Sequence, residues 1–189
     1  MRIVAGRHRG RPLASPKGLQ TRPTSDRARE SVFNILQHAP WAENVLEDAA
    51  VMDVFCGTGA LGLEALSRGA AHAVFIDKDK AALNACRQNI ATFKEEKNSL
   101  VLQQDALSCP QRPPHIAPRN LVFLDPPYGY DLGIKALRHL EAQNWLAPHV
   151  ITIMEMKKSA PEPLPDSFTL VNERHYGIAL LRFLKKHTK

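Results

Sequence analysis

The sequence predicts an α/β fold in which a mostly parallel sheet carries helices on both faces. From residue 50 onward, short apolar runs alternate with longer segments of helical periodicity. The run Leu121-Val122-Phe123-Leu124 is wholly apolar, as expected for a strand that is buried on both faces. Glycines or carboxylates follow four of these runs, which is where parallel sheets of this kind bind ligands.

Residues 1–23 are predicted to form a basic arm that precedes an α/β domain of residues 24–189. Segments 3–5 and 11–13 can pair as a short β-hairpin. Residues 1–30 contain eight basic and two acidic side chains, so they carry the entire net charge of +6. This concentration favours a polyanionic partner held through its phosphates, with a solvated basic tail as the open alternative. The candidate phosphate-binding residues are Arg7, Arg9, Arg11, Arg22 and Arg29.

The remaining elements follow in order along the chain. A helix is predicted to begin at a capping residue among 24–26 and to end near Pro40. Further helices are expected over about 60–68 and 79–95 and around 134–140. The last two strands are expected to form an antiparallel hairpin that turns near Gly177, so the predicted sheet has seven strands. The predicted strands are 51–55, 73–76, 100–102, 121–124, 150–154, 168–174 and 178–184.

A glycine turn with nearby carboxylates predicts a cofactor site. Gly57 and Gly59 follow the first strand and allow a tight turn close to a ligand. Asp77 follows the second strand, where a carboxylate can accept hydrogen bonds from ribose hydroxyls. The same residues, with Gly62, also satisfy the Gly-x-Gly-x-x-Gly pattern of dinucleotide-binding proteins, so the glycines alone do not identify the cofactor.

Two further carboxylates favour S-adenosylmethionine. Asp53 precedes the turn, where it suits an ammonium group and would be a poor neighbour for a pyrophosphate. Asp105 follows the third strand and can accept from an adenine amino group. S-adenosylmethionine carries an ammonium and a sulfonium but no phosphate. The candidate cofactor-binding residues in this region are Asp53, Phe55, Gly57, Thr58, Gly59, Asp77, Lys78, Asp105 and Ala106.

The motif Asp125-Pro126-Pro127-Tyr128 follows the fourth strand and predicts the catalytic loop. The prolines stiffen the loop and have no N–H of their own, which leaves their carbonyls free to accept. An exocyclic amine on a base is a poor nucleophile until acceptors hold its N–H bonds, and Asp125 with the Pro126 carbonyl supplies two. Tyr128 can stack on the base. This loop is compatible with adenine, cytosine or guanine.

Composition excludes several other classes of protein. The three cysteines are widely spaced, and the eight histidines form no metal-binding motif, so no metal or disulfide framework is expected. No apolar run is long enough to span a bilayer, and the first residues do not resemble a signal peptide. We therefore expect a cytoplasmic protein without a membrane partner. We also expect the protein to be a monomer.

The ordered motifs resemble those of class I amino-methyltransferases, and in particular the RsmD family of 16S ribosomal RNA guanine-N2 methyltransferases. The most specific similarity is N-terminal, in the patterns Arg2-Ile3-Val4-x-Gly6-x-x-Arg9-Gly10-Arg11 and Arg22-Pro23-Thr24-x-Asp26-Arg27-x-Arg29-Glu30. The resemblance implies the Rossmann-like methyltransferase fold, S-adenosylmethionine as cofactor and ribosomal RNA or a small-subunit assembly particle as substrate. It also implies that Thr24 approaches the methionine end of the cofactor. Two proline-rich segments, 111–119 and 157–165, match no motif.

Other functions remain open from the sequence. A DNA adenine-N6 methyltransferase is the main alternative, because the Asp-Pro-Pro-Tyr motif serves several amines. The chain has little room for a separate domain that reads DNA sequence, which counts against it. A non-catalytic protein that keeps the fold would not need the acidic residues, and a nicotinamide dehydrogenase would not need the Asp125 motif.

Overall fold

A computed structural model describes residues 1–15, 26–127, 132–157 and 163–187. The predicted site residues Arg22, Thr24 and Tyr128 lie outside these ranges. Among the described residues no helix is long and apolar enough to cross a membrane.

Seven strands form one sheet in the order β3-β2-β1-β4-β5-β7-β6. Strand β7 runs antiparallel to both β5 and β6, while the other neighbouring strands are parallel. The predicted fold class, including the C-terminal antiparallel hairpin, is confirmed. Strands β2 and β3 lie on one side of β1, and β4 and β5 lie on the other, so the strand order reverses between β1 and β4. The carboxyl ends of these two strands therefore form the expected ligand-binding edge. The strands are β1 Ala50–Val54, β2 His72–Asp77, β3 Ser99–Gln103, β4 Arg119–Leu124, β5 Leu146–Lys157, β6 Phe168–Tyr176 and β7 Ala179–Lys186.

In the described part of the chain, four α-helices cover the two faces of the sheet. They are α1 Asp26–His38, α2 Ala60–Ser67, α3 Lys80–Phe93 and α4 Leu132–Ala142. The first three contribute to one apolar cluster, and α4 contributes to the cluster on the opposite face. Residues 104–118, between β3 and β4, form no helix; Ala106 and Cys109 from this segment fill the second cluster.

Helix α1 packs on the middle of the sheet through its apolar stripe. Val32, Phe33 and Leu36 are buried, and the ring of Phe33 lies 5.4 Å from that of Phe123 on β4. The helix ends at His38, two residues before Pro40, whose ring cannot continue it. This packing brings α1 close to the end of β4, where the catalytic loop begins.

The N-terminal hairpin is present and is packed against α2. Ile3 N–H donates to the Arg11 carbonyl at 3.0 Å, and Gly10 N–H donates to the Ile3 carbonyl at 2.8 Å. The Ile3 side chain is fully buried. A Cβ at Gly6 would lie 1.9 Å from the Ser67 carbonyl oxygen, so only glycine permits this close approach. Residues 1–13 are therefore held firmly by the α/β domain.

Strand β5 is longer than the predicted 150–154. It extends to Lys157 because β7 pairs with it from Ile151 through Lys157. It begins at Leu146, which pairs with Arg119 before an irregularity in the β4–β5 ladder. Both extensions arise from partner strands that are distant in sequence.

Candidate active site

The turn after β1 adopts the left-handed backbone that its glycines permit. Phe55, Gly57 and Gly59 have φ of +60°, +53° and +80°. The Asp77 carboxylate accepts from Gly57 N–H at 2.9 Å and, through its other oxygen, from Asp79 N–H at 2.9 Å. Asp77 therefore joins the ends of β1 and β2 at the predicted ribose position.

Asp53 lies beneath this turn and is almost fully buried. Its carboxylate accepts from Gly62 N–H at 2.8 Å, near the start of α2. Burial raises the pKa of Asp53 well above its ordinary value, and the charges of Asp125 and Asp77 raise it further, against the lowering effect of the Gly62 hydrogen bond. A cationic ligand at this edge would relieve the mutual repulsion of these carboxylates.

The other predicted cofactor residues lie along the same edge of the sheet. The Asp105 carboxylate accepts from Leu107 N–H at 2.9 Å and is only partly buried. Thr58 is buried, and its carbonyl accepts from the Asn89 side chain at 3.0 Å, which fixes the glycine turn to α3. Ala106 is buried in the core, whereas Lys78 is exposed.

Asp125 stands at the end of β4, next to β1. Its N–H donates to the Val54 carbonyl at 3.4 Å, which places the predicted catalytic loop beside the glycine turn. The Asp125 side chain is partly exposed, Pro126 is buried and Pro127 is exposed. A gap of about 10 Å³ adjoins Asp125, with Val32 of α1 and Glu155 of β5 among its lining residues.

The predicted RNA-binding arginines differ in their surroundings. Arg29 is fully buried: it donates to Asp26 at 2.8 Å and to the Arg2 carbonyl, and it lies 3.7 Å from Glu64. The prediction of Arg29 as an RNA contact is wrong for this conformation, because its charge is balanced inside the protein. The sequence pattern missed this because it did not show which side of α1 faces the core.

The three predicted RNA-binding arginines of the hairpin are closer to the surface. Arg7 donates to Glu95 at 2.8 Å, and Arg11 lies 4.8 Å from the centre of the Phe93 ring. Arg9 is exposed. The hairpin therefore uses part of its positive charge to attach to α3 and its C-terminal turn.

Glu64 and Glu95 are structural residues that the sequence analysis did not identify. Glu64 is fully buried and accepts from Val4 N–H at 2.7 Å and Ala5 N–H at 3.0 Å. A glutamate inside the otherwise apolar helix Ala60–Ser67 was the available signal. Across the described ranges, no group of three or more His, Cys, Asp or Glu residues is arranged to hold a metal ion.

Comparison with known proteins gives consistent matches over the whole chain. Ribosomal RNA small subunit methyltransferase D of Haemophilus influenzae is 37% identical over 188 residues, covering 96% of this chain and 92% of its own. The structure of the Escherichia coli protein yhhF has a TM-score of 0.84 at 35% identity, covering 100% of this chain and 99% of its own. Magnesium protoporphyrin IX methyltransferase of Synechocystis, solved with bound S-adenosylmethionine, has a TM-score of 0.63 at 16% identity, covering 85% and 78%.

The strand order, the glycine turn and the carboxylates at the edge of the sheet define a class I, Rossmann-like methyltransferase fold. A family model described as conserved hypothetical protein 95 matches residues 1–185. The chain belongs to this family, the RsmD family.

The two glycines of the turn allow a matched test of its packing. A Cβ at Gly59 would lie 2.7 Å from Cys86 Sγ, whereas no described heavy atom lies within 4 Å of a Cβ at Gly57. Gly57→Ala should lower the free energy of unfolding by about 1–2 kcal/mol, because alanine is strained at positive φ. Gly59→Ala should cost about 1–3 kcal/mol more, because the methyl group also overpacks α3. Urea unfolding of both variants measures the difference, and equal stabilities would contradict this account.

Proposed function

We propose that this protein transfers a methyl group from S-adenosylmethionine to an exocyclic amine of a base in ribosomal RNA, with guanine N2 as the target atom. The observation that carries the proposal is the position of Asp125-Pro126 directly beside the glycine turn. The Asp125-Pro126 loop supplies acceptors for an amine, and the glycine turn supplies an open, acidic edge for a cationic methyl donor.

The residues present fit S-adenosylmethionine. Space is open beside Gly57, and Asp53, Asp77 and Asp125 influence one another electrostatically at the same edge of the sheet. Such an edge favours a ligand with ammonium and sulfonium charges over a pyrophosphate. The Synechocystis methyltransferase that shares the fold has S-adenosylmethionine bound, which supports the same choice.

Each residue then has a definite role. Asp77 is positioned to accept from ribose hydroxyls, Asp105 from an adenine amino group, and Asp53 to balance an ammonium. When bound, the cofactor supplies an electrophilic methyl group. Asp125 and the Pro126 carbonyl accept the two N–H groups of the target amine and direct its lone pair toward the donor. Positioning and electrostatic stabilisation provide the acceleration, without a covalent enzyme intermediate.

Family membership supports ribosomal RNA as the substrate. The Haemophilus relative is named for activity on small-subunit ribosomal RNA, and the similarity spans nearly both chains. The target base must be unpaired or flipped out, because a paired amine inside a helix cannot reach Asp125. The choice of guanine over adenine is supported by the family resemblance, since the Asp125 loop accepts either amine.

Replacement of Asp77 tests the cofactor site. Asp77→Ala should weaken S-adenosylmethionine binding by about 10-fold or more, because it removes acceptors for ribose and frees the Gly57 N–H. Isothermal titration calorimetry measures the affinity, and Asp79→Ala is the matched control because Asp79 caps α3 instead. Unchanged affinity in Asp77→Ala would contradict the ribose assignment.

The whole proposal is tested by incubating the protein with labelled S-adenosylmethionine and separate samples of DNA, naked ribosomal RNA and small-subunit particles. Nucleoside analysis by mass spectrometry should detect N2-methylguanosine in an RNA-containing sample. N6-methyladenine in DNA would support the alternative enzyme, and no transfer to any sample would overturn the proposal.

A further inference from the structure

A groove of about 560 Å³ lies between α1 and the edge strand β6. We call it the α1–β6 groove. It is separate from the gap beside Asp125, and neither the glycine turn nor the carboxylates of the predicted active site contribute to it. The residues that matter for its chemistry are Arg27, Asn34, His38, Trp41, Asn172 and Arg174.

The groove forms where the sheet extends past the apolar residues that pack against α1, at the edge strand β6. On this face of β7, Leu181 and Phe183 are buried in the core. Their partners on β6 are Arg174 and Asn172, and residues paired across a sheet lie on the same face. The face of the sheet that meets α1 therefore changes from apolar to polar within one strand spacing.

The register of the sheet links the groove to the catalytic loop. Leu124 pairs with Met154, which places Asp125 and Glu155 one step further along neighbouring strands. Glu155 pairs with Leu181, and Leu181 pairs with Arg174. Arg174 therefore lies two strand spacings, about 10 Å, from Glu155, which lines the gap beside Asp125. Helix α1 contributes to both the groove and the gap beside Asp125, because Ser31 lines the groove and the next residue, Val32, lines the gap.

The lining groups suit a single-stranded nucleic acid. Arg27 and Arg174 are exposed cations, and they outnumber Glu30, the carboxylate of the lining. Arg174 donates to Asn172 at 2.6 Å and to the Glu173 carbonyl at 2.8 Å, which restricts its orientation before any ligand binds.

An aromatic side chain and two amides complete the groove. Trp41 is partly exposed and is fixed by Phe183, whose ring lies 5.6 Å away, so part of the indole is available for stacking. Asn34 and Asn172 offer donors and acceptors to base edges. Cations beside an aromatic ring are the usual composition of single-strand binding surfaces.

We propose that the α1–β6 groove binds the single-stranded RNA next to the target base, with Arg27 and Arg174 on phosphates and Trp41 against a base. This inference rests on the proposed function, because it assigns the groove to the same RNA substrate. With this groove, the α/β domain itself holds an unpaired segment while one base reaches Asp125.

The test compares two double variants of the full-length protein. Arg27→Ala/Arg174→Ala removes both groove cations. Arg87→Ala/Arg138→Ala removes the same charge from exposed positions on α3 and α4 and serves as the matched control. Affinity for a fluorescently labelled single-stranded RNA oligonucleotide is measured by anisotropy over a range of salt concentrations, and thermal unfolding verifies that both variants are folded.

The groove variant should bind the oligonucleotide about 10-fold to 100-fold more weakly than the control, and its salt slope should fall in magnitude by about 1.4 for two lost phosphate contacts. In methyl transfer to small-subunit particles, KM should rise while kcat stays within about twofold, since the groove does not touch the reacting atoms. Cofactor affinity should be the same in both variants.

Separate outcomes distinguish the two proposals. If the wild-type protein methylates RNA but the two double variants have equal affinities and salt slopes, the groove assignment is wrong and the proposed function stands. If the wild-type protein transfers no methyl group to RNA but the groove variant alone loses oligonucleotide binding, the proposed function fails and the groove remains an RNA site. If the two double variants bind the oligonucleotide equally but the groove variant loses contact with a ribosomal protein, the groove is assigned to a protein partner and the inference is overturned.

Discussion

Asp125→Ala is expected to lower kcat for methyl transfer by a factor on the order of 10³, with S-adenosylmethionine affinity changed by less than about threefold. Asp125 stands at the end of β4 with its N–H on the Val54 carbonyl, so the backbone of the loop remains anchored in the variant. Only the carboxylate is lost. Without it, one N–H of the target amine has no acceptor, and the nitrogen lone pair remains delocalised into the base.

A second effect acts on the neighbouring carboxylate. The Asp125 charge contributes to the raised pKa of Asp53, so removing it should bring that pKa down toward its ordinary value. Asp53 would then be ionised more completely at neutral pH, which favours a cationic cofactor slightly. The loss of the Asp125 charge from the acidic edge acts in the opposite direction on a cationic cofactor, so cofactor affinity in Asp125→Ala should stay close to that of the wild-type protein while turnover collapses.

Two companion variants make the Asp125 experiment specific. Asp125→Asn keeps the shape and one acceptor but removes the charge, so it should retain more activity than the alanine variant. Asp166→Asn changes an exposed aspartate in the segment before β6 and should behave as wild type. Single-turnover rates with labelled cofactor measure the chemical step directly, and a rate in Asp125→Ala within about 10-fold of wild type would refute the role of Asp125.

The sequence was informative where local patterns determine the structure. Strand β4 is wholly apolar over residues 121–124 because it lies in the middle of the sheet, so its composition alone predicts that it is buried on both faces. The turn at Gly57 and Gly59 was equally readable, since their positive φ values require residues without a Cβ. Such features depend on a few consecutive residues.

Features that depend on distant partners were not readable. Arg29 lies in the basic first turn of α1, and although Asp26 is close in sequence, nothing local indicates that Glu64, thirty-five positions away, will also lie beside Arg29 inside the protein. The α1–β6 groove is a second example, because it arises from the register of β6 against β7. The hairpin pairing was predicted, but its close packing on Ser67 depends on the position of α2.

Glu64→Ala is expected to cause the largest loss of stability, about 3–5 kcal/mol in the free energy of unfolding. Glu64 is fully buried and pairs with two arginines: Arg68 lies 2.8 Å from its carboxylate, and the buried Arg29, which also pairs with Asp26 at 2.8 Å, lies 3.7 Å away. Its carboxylate also accepts the N–H groups of Val4 and Ala5. The variant leaves an uncompensated charge and two unsatisfied amides at the junction of the hairpin, α1 and α2.

Urea unfolding gives the change in stability, and hydrogen exchange at Val4 and Ala5 shows whether the hairpin is released. Glu43→Ala, at an exposed position, is the control and should change the free energy of unfolding by less than about 0.5 kcal/mol. The double variant Glu64→Leu/Arg68→Met replaces the closer charged pair by apolar groups of similar size and should recover part of the loss, because Arg68 is no longer left without its carboxylate while Arg29 keeps Asp26. A single Glu64→Ala variant within about 1 kcal/mol of wild type, with unchanged exchange at Val4, would show that the hairpin is held by apolar packing of Ile3 and not by this carboxylate.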